Sequence, residues 1–205
     1  MSASSRVRPP ASSDSSPGST PAPTPIGARC FAALQRLLPQ HLLSRIAHRL
    51  ARVRCAPVKN ALIGAFVRGF HPRMSDAAEP DARRYGSFNE FFTRALRPGA
   101  RQVDPDVRTV VSPVDGAVSE IGYLDRLTLV QAKGRSYRLD ALLASRAAAE
   151  RFAGGAYATL YLAPGDYHRI HMPAAGELRS AQYVPGRLFS VNAATAAAVS
   201  DLYAR

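Results

Sequence analysis

Tyr157-Ala-Thr-Leu-Tyr161-Leu-Ala-Pro164-Gly165-Asp166-Tyr167-His168-Arg169-Ile170-His171-Met172-Pro173 joins a β-prone run to a proline-bounded turn that carries two histidines three residues apart. The aromatic and aliphatic residues Tyr157 to Leu162 predict a short strand, and Pro164-Gly165 breaks it. Beyond the turn, His168 and His171 are expected on extended chain, where residues three apart point to opposite faces unless the strand bulges. That geometry disfavours a shared metal ion, and no third ligand of matching type lies nearby, so no metal site is expected. The other three of the five histidines, His41, His48 and His71, fall in helix or turn patterns. A lone histidine is more often a satisfied core residue than a catalyst, but two of them between prolines read as a rigid turn presenting a site. Asp166 reads equally as the cap of that turn.

The β texture extends on both sides. Val110-Val111, Ala117 to Ile121, Leu127 to Val130 and Glu177 to Val184 are further short β-prone runs, separated by Pro113, Gly116, Gly122, Gly134, Gly176 and Pro185-Gly186. Many short strands with turn residues between them predict an antiparallel sandwich or barrel. One Ala/Leu-rich helix, Leu139 to Arg151, interrupts them before Gly154-Gly155, and a last helix is expected over Val191 to Arg205 with Asn192 as its cap.

Before Gly99 the texture is helical. Ser87-Phe88-Asn89-Glu90 is a capping box followed by Phe88, Phe91, Phe92 and Ala95 on one face, which predicts a helix of about ten residues closed by Arg97-Pro98-Gly99. Asp76 and Glu79 mark a turn beside Pro80. Val58 to Phe70 is apolar nearly all round and must be covered. Over residues 41–54, Leu42, Leu43, Ile46, Leu50 and Val53 share one arc, opposite His41, Arg45, His48, Arg49 and Arg52. An earlier helix is expected from Ile26 to Pro39, with Phe31, Leu34, Leu37 and Leu38 recurring. Met1 to Pro25 is Ser, Pro, Ala and Thr, too poor in large apolar side chains to offset its ordering entropy, and reads as a disordered tail. Its Ser-rich, acid-poor start loosely fits a transit peptide, although the prolines argue against the required helix.

Across 205 residues, 46% hydrophobic, 27 Lys+Arg against 15 Asp+Glu give a net charge of +12 and point to a polyanionic partner. Up to residue 60 there are nine cations and one acid, so +8 of that charge belongs to the first 60 residues, most of it among the amphipathic helices. Two readings remain open for them: helices lying in an anionic membrane interface, or a helical subdomain with a solvated basic face. Nucleic acid is not expected, since aromatics do not interleave the basic residues and no helix-turn-helix or zinc pattern occurs. Cys30 and Cys55 share no C-x-x-C spacing and are expected as reduced thiols in a cytosolic-facing chain. No run of about 18 apolar residues predicts a spanning helix, and no secretory signal is read at the start.

Asp115 lies in the tight turn Ser112-Pro113-Val114-Asp115-Gly116. Alone it reads as a turn aspartate bonding its own backbone; its functional alternative is an acid that orients a distant histidine. Lys133 in Gln131-Ala132-Lys133-Gly134 is an available amine but is more simply solvated. Pro185-Gly186-Arg187-Leu188-Phe189-Ser190-Val191-Asn192 could line a pocket or close a core.

Six blocks, Ser87–Phe92, Arg97–Gly99, Pro113–Gly116, Gln131–Gly134, Asp166–Pro173 and Tyr183–Asn192, occur in an order that closely resembles the bacterial phosphatidylserine decarboxylase proenzymes. The resemblance covers residues 87–192; the N-terminal helices share its character and the first 25 residues do not match. It implies a pyruvoyl enzyme of phospholipid biosynthesis. A serine in Leu-Gly-Ser attacks the preceding carbonyl, and the chain splits into β and α subunits with pyruvate, as a pyruvoyl group, on the new α terminus. That ketone forms a Schiff base with phosphatidylserine, which loses carbon dioxide to leave phosphatidylethanolamine. By motif position the resemblance assigns Asp115 and His171 to self-processing and His168 to decarboxylation. No Leu-Gly-Ser occurs in residues 1–205, so the expectation is a proenzyme truncated before its cleavage motif and inactive as it stands.

The expected organisation is α+β: a disordered tail (1–25), amphipathic membrane-associating helices (26–74), and a partial catalytic β-chain domain (75–205). That domain is an incomplete antiparallel sandwich or barrel with one or two inserted helices. The expected partners are phosphatidylserine, an anionic membrane surface on the cytoplasmic side of the cell membrane, bound peripherally, and the chain's own α subunit, with a homodimer among the assemblies to test. The alternative is a non-catalytic membrane- or polyanion-binding protein on the same scaffold.

Overall fold

The computed structural model describes Gly27, residues 38–131 and 135–186, and Thr195. Over these residues the chain is α+β, helical first and then a pair of small antiparallel sheets. The expected tail, the helix before Pro39, Cys30, Lys133 and nearly all of the C-terminal helix lie outside the described residues.

Helix α1 spans Gln40–Ala51 and buries none of its side chains. Leu42, Leu43, Ile46 and Leu50 are all at least 43% exposed, so the apolar arc has no cover in the described chain. Helix α2, Ala56–Phe70, starts on a proline in its first turn and is stopped by His71 in the left-handed conformation, whose N–H reaches the Val67 carbonyl. It is covered along one stripe only: Ile63 and Phe66 are buried, while Val58 and Phe70 remain exposed.

The stripe packs on helix α3, Phe88–Phe92. Ser87 accepts a hydrogen bond from the Glu90 N–H at 3.2 Å, and the Glu90 carboxylate accepts the N–H of Gly86 at 3.0 Å, one residue before the reciprocal partner of the standard box. Phe66 meets Phe88, Phe91 and Phe92 at centroid distances of 5.4, 5.8 and 5.7 Å, edge-on, around a fully buried Phe91. The helix is five residues, not the ten its apolar spacing predicts. Thr93 turns its hydroxyl back onto the Asn89 carbonyl, and residues 95–97 leave the helical path to pair with 76–78 (Ala78 N–H to Ala95, Arg97 N–H to Asp76).

Strand β1 (Ala117–Tyr123) pairs antiparallel with β4 (Ala156–Tyr161), with a bulge between Val118 and Glu120. Between them, β2 (Thr128–Gln131) pairs with β3 (Arg135–Arg138). The expected single helix over 139–151 is two, α4 (Leu139–Leu143) and α5 (Arg146–Glu150). Ala144 takes a left-handed φ of 51° and Ser145 caps the second helix through the Ala148 N–H, which ends one helix and starts the next. Leu124, Tyr137, Leu139 and Ala149 form the core beneath this pair.

Three further expectations fail for one reason: a β-prone run becomes a strand only where its backbone finds a neighbour. Glu177 to Val184 is irregular and open, with Leu178 and Tyr183 more than 80% exposed. Val110-Val111 is not a strand, although Val111 donates to the Pro173 carbonyl. The chain carrying His168 and His171 is likewise irregular, because β4 ends at Tyr161 and the next residues close a turn.

Candidate active site

The turn after β4 is built by Asp166. Its N–H reaches the Ala163 carbonyl and its carboxylate accepts the Ala163 N–H at 2.7 Å, so Asp166 acts as the cap that its position suggests. Gly165 sits so close to α2 that a Cβ would stand 2.6 Å from the Phe70 carbonyl oxygen. Arg94, only 3% exposed, donates to the carbonyls of Gly165 and Asp166 at 2.9 and 3.2 Å. Arg169 returns the contact, its Nε donating to the Thr93 carbonyl at 2.8 Å. The end of α3 and the histidine loop are thus laced in both directions. Burial lowers the Arg94 pKa, and its Nη1 finds no hydrogen-bond partner among the described residues.

The two histidines stand on a loop rather than the expected strand, and their rings meet different partners. His168 lays its ring on Phe92 with centroids 4.2 Å apart, and its Nδ1 lies 3.0 Å from the Asp166 carbonyl oxygen. A carbonyl only accepts, so Nδ1 carries the proton and Nε2 is left as the basic nitrogen. His171 makes a different set of contacts. Its backbone N–H donates to the Pro113 carbonyl at 2.8 Å, which together with Val111–Pro173 ties the histidine loop to the Asp115 turn. Its Nε2 lies 2.8 Å from the hydroxyl of Tyr167, a residue 7% exposed whose ring stacks on the imidazole.

Asp115 and His171 line one cavity of about 710 Å³, with Tyr167, Arg101, Arg97, Arg169 and an apolar floor that includes Val111 and Val114. They share the cavity without a described hydrogen bond to each other. Asp115 is engaged by Arg101 instead, Nε to Oδ2 at 2.7 Å, and the same guanidinium reaches Asp76 at 3.0 Å. Arg101 is consequently raised in pKa, first by its bond to Asp115, and Asp76 is held below the usual carboxylate range, first by its bond to Arg101. Ser112 also lines the cavity, but its hydroxyl donates to the Val114 carbonyl at 2.7 Å and serves the turn. A second cavity of about 630 Å³ shares Arg101, Asp115 and Tyr167 and adds His71, Arg73 and Arg94. Tyr167, Arg94 and Arg101 are the residues that sequence reasoning missed. Tyr167 stood beside His168 with nothing to mark it, and an arginine in a basic chain carries no signal of its own.

Two tethered loops thus bring an acidic turn and a histidine to one cavity on an α+β scaffold. The model of the phosphatidylserine decarboxylase family matches residues 88–205, and a second model, described as PSD, matches residues 30–71. Proteins named phosphatidylserine decarboxylase proenzyme resemble it over most of its length: that of Bordetella pertussis is 50% identical over 182 residues, 88% of this chain and 61% of the relative. The Shewanella halifaxensis protein is 51% identical over 174 residues (84% and 61%), and that of Azotobacter vinelandii 50% over 178 (86% and 62%). The chain belongs to the phosphatidylserine decarboxylase family, and it spans about 61% of the length of these curated relatives.

Proposed function

We propose that this chain contributes the acid–base half of a pyruvoyl-dependent phosphatidylserine decarboxylase, which converts phosphatidylserine to phosphatidylethanolamine and carbon dioxide. The observation that carries the reading is the joining of the Asp115 turn to the His171 loop around one cavity, in a chain half-identical to the named proenzymes. The residues present suit a pyruvoyl group: an imidazole, a carboxylate and a phenol surround one space with an apolar floor. When bound, that group supplies the electron sink for loss of carbon dioxide. Asp115 and His171 serve self-processing, His171 moving the proton and Asp115 supplying the compensating charge. His168 serves decarboxylation, its Nε2 accepting and returning a proton while the Asp166 carbonyl fixes the tautomer.

Residues 26–74 associate peripherally with the cytoplasmic face of the cell membrane in this reading. Support comes from the uncovered arc of Leu42, Leu43, Ile46 and Leu50 on α1, opposite Arg45 and Arg49, which suits an interfacial helix over anionic lipid. No described helix is long and apolar enough to cross a membrane. The open β pairs belong to a sandwich or barrel, a reading supported by Val118, Ile121, Tyr123 and Tyr161, each at least 54% exposed.

Expression of the reading frame to its natural end, with phosphatidylserine supplied, tests the activity. Phosphatidylethanolamine and a two-subunit pattern are expected, both lost in Asp115→Ala and His171→Ala; turnover in those variants would overturn the assignment. For the membrane, flotation with anionic vesicles should recover the chain in the lipid fraction, and equal recovery after deletion of residues 26–70 would refute it.

A further inference from the structure

The cavity of His171 and Asp115 carries more positive charge than its own acids neutralise. Arg101 is committed, shared between Asp76 and Asp115. Arg97 and Arg169, which line the same cavity, form no ion pair among the described residues. Arg169 is also pre-set: the Nε bond to the Thr93 carbonyl fixes the guanidinium plane and leaves both terminal nitrogens to a ligand. A planar guanidinium matches paired oxyanion atoms, and a fixed one loses less rotamer freedom on binding.

Apolar groups stand beside these cations. Leu96, Val103, Val111, Val114 and Met172 line the cavity, and Val103 and Met172 are each 68% exposed. Unpaired arginines bordering an exposed apolar strip are the complement of an anionic amphiphile, whose head pairs with the guanidiniums while its chains cover the strip. The geometry points to a subsite for the phosphodiester of a glycerophospholipid, held by Arg97 and Arg169 with the acyl chains leaving over Val103 and Met172. The inference rests on the phosphatidylserine reading for the identity of the lipid. It adds how the lipid is held: the phosphate by the arginines, with the serine carboxylate left free of them.

The test is binding of monomeric short-chain lipids to the 205-residue chain. Dihexanoyl phosphatidylserine and dihexanoyl phosphatidylethanolamine should bind alike, and dihexanoylglycerol and hexanoate should neither bind nor compete. Arg97→Gln and Arg169→Gln should each weaken both phospholipids roughly tenfold, as expected for one charge-assisted contact. Arg97→Lys should recover part of the loss, and Arg179→Gln, which does not line the cavity, should change nothing. Thermal unfolding of each variant checks that these exposed positions leave the fold intact. Phosphatidylserine binding without phosphatidylethanolamine binding would assign the arginines to the carboxylate and overturn the inference, as would unchanged affinity in the double variant. Binding needs no chemistry, so an intact subsite with no carbon dioxide from the full reading frame would sink the decarboxylase reading alone. Turnover with unaltered binding in both variants would sink the subsite alone.

Discussion

The hydroxyl of Tyr167 lies 2.8 Å from Nε2 of His171, with the two rings stacked 5.5 Å apart, so the histidine nearest the acidic turn is held by its own loop. The phenol is buried, and this bond aligns the imidazole across the cavity that Asp115 shares. Tyr167→Phe keeps the stacking and removes the bond. It should lower stability by about 0.5–1.5 kcal/mol in denaturant unfolding. The imidazole nitrogen NMR signals of His171 should shift while those of His168 stay in place. Equal shifts at both histidines would mean a general loosening of the loop.

Arg94 should be the least replaceable cation among the described residues. Arg94→Leu removes two bonds to the Gly165 and Asp166 carbonyls and leaves those oxygens without their donor beneath the histidine loop. A loss of about 2–4 kcal/mol is expected, read as an earlier urea midpoint. Arg94→Lys should recover little, since one ammonium cannot reproduce the fork.

The Arg101 clasp predicts a pH signature. Asp76 is depressed in the folded chain chiefly by its bond to Arg101, so the stability this adds is present above the ordinary carboxylate pKa, about 4. It is lost as pH falls through the folded value. Arg101→Gln should therefore be less stable than the original at pH 7, and the gap should narrow below about pH 4. A pH-independent difference would mean that Arg101 acts by packing alone.

Gly165→Ala should destabilise without touching any charged group, because its Cβ would meet the Phe70 carbonyl oxygen at 2.6 Å, a backbone atom that cannot swing aside. A cost of about 1–3 kcal/mol is expected, with the Phe92–His168 ring contact disturbed. Unchanged unfolding and unchanged His168 NMR signals would count against that close approach.

Phe91→Ala opens the aromatic core that α2 and α3 share, where Phe91 is fully buried against Phe66 and Tyr85. About 3–5 kcal/mol should be lost, enough to free α3 and with it the Thr93–Arg169 bond.

Local chemistry was legible in the sequence because it depends on neighbours in the chain. The Ser87 cap and the Asp166 turn follow from residues within four positions of one another, and the amphipathic arc of α1 from residues recurring at most four positions apart. The rule that residues three apart point to opposite faces did not reach His168 and His171, because they stand on a loop and not on a strand. What only the tertiary structure decided was pairing across distance. Whether Glu177 to Val184 forms a strand, where α3 stops, that Arg101 claims Asp115 from 14 positions away, and that Arg94 grips a loop 71 residues on depend on which backbone and charge each group meets. Composition carries no record of those meetings. A carboxylate in a turn reads the same whether its partner is an imidazole or a guanidinium, and only proximity in space selects between them.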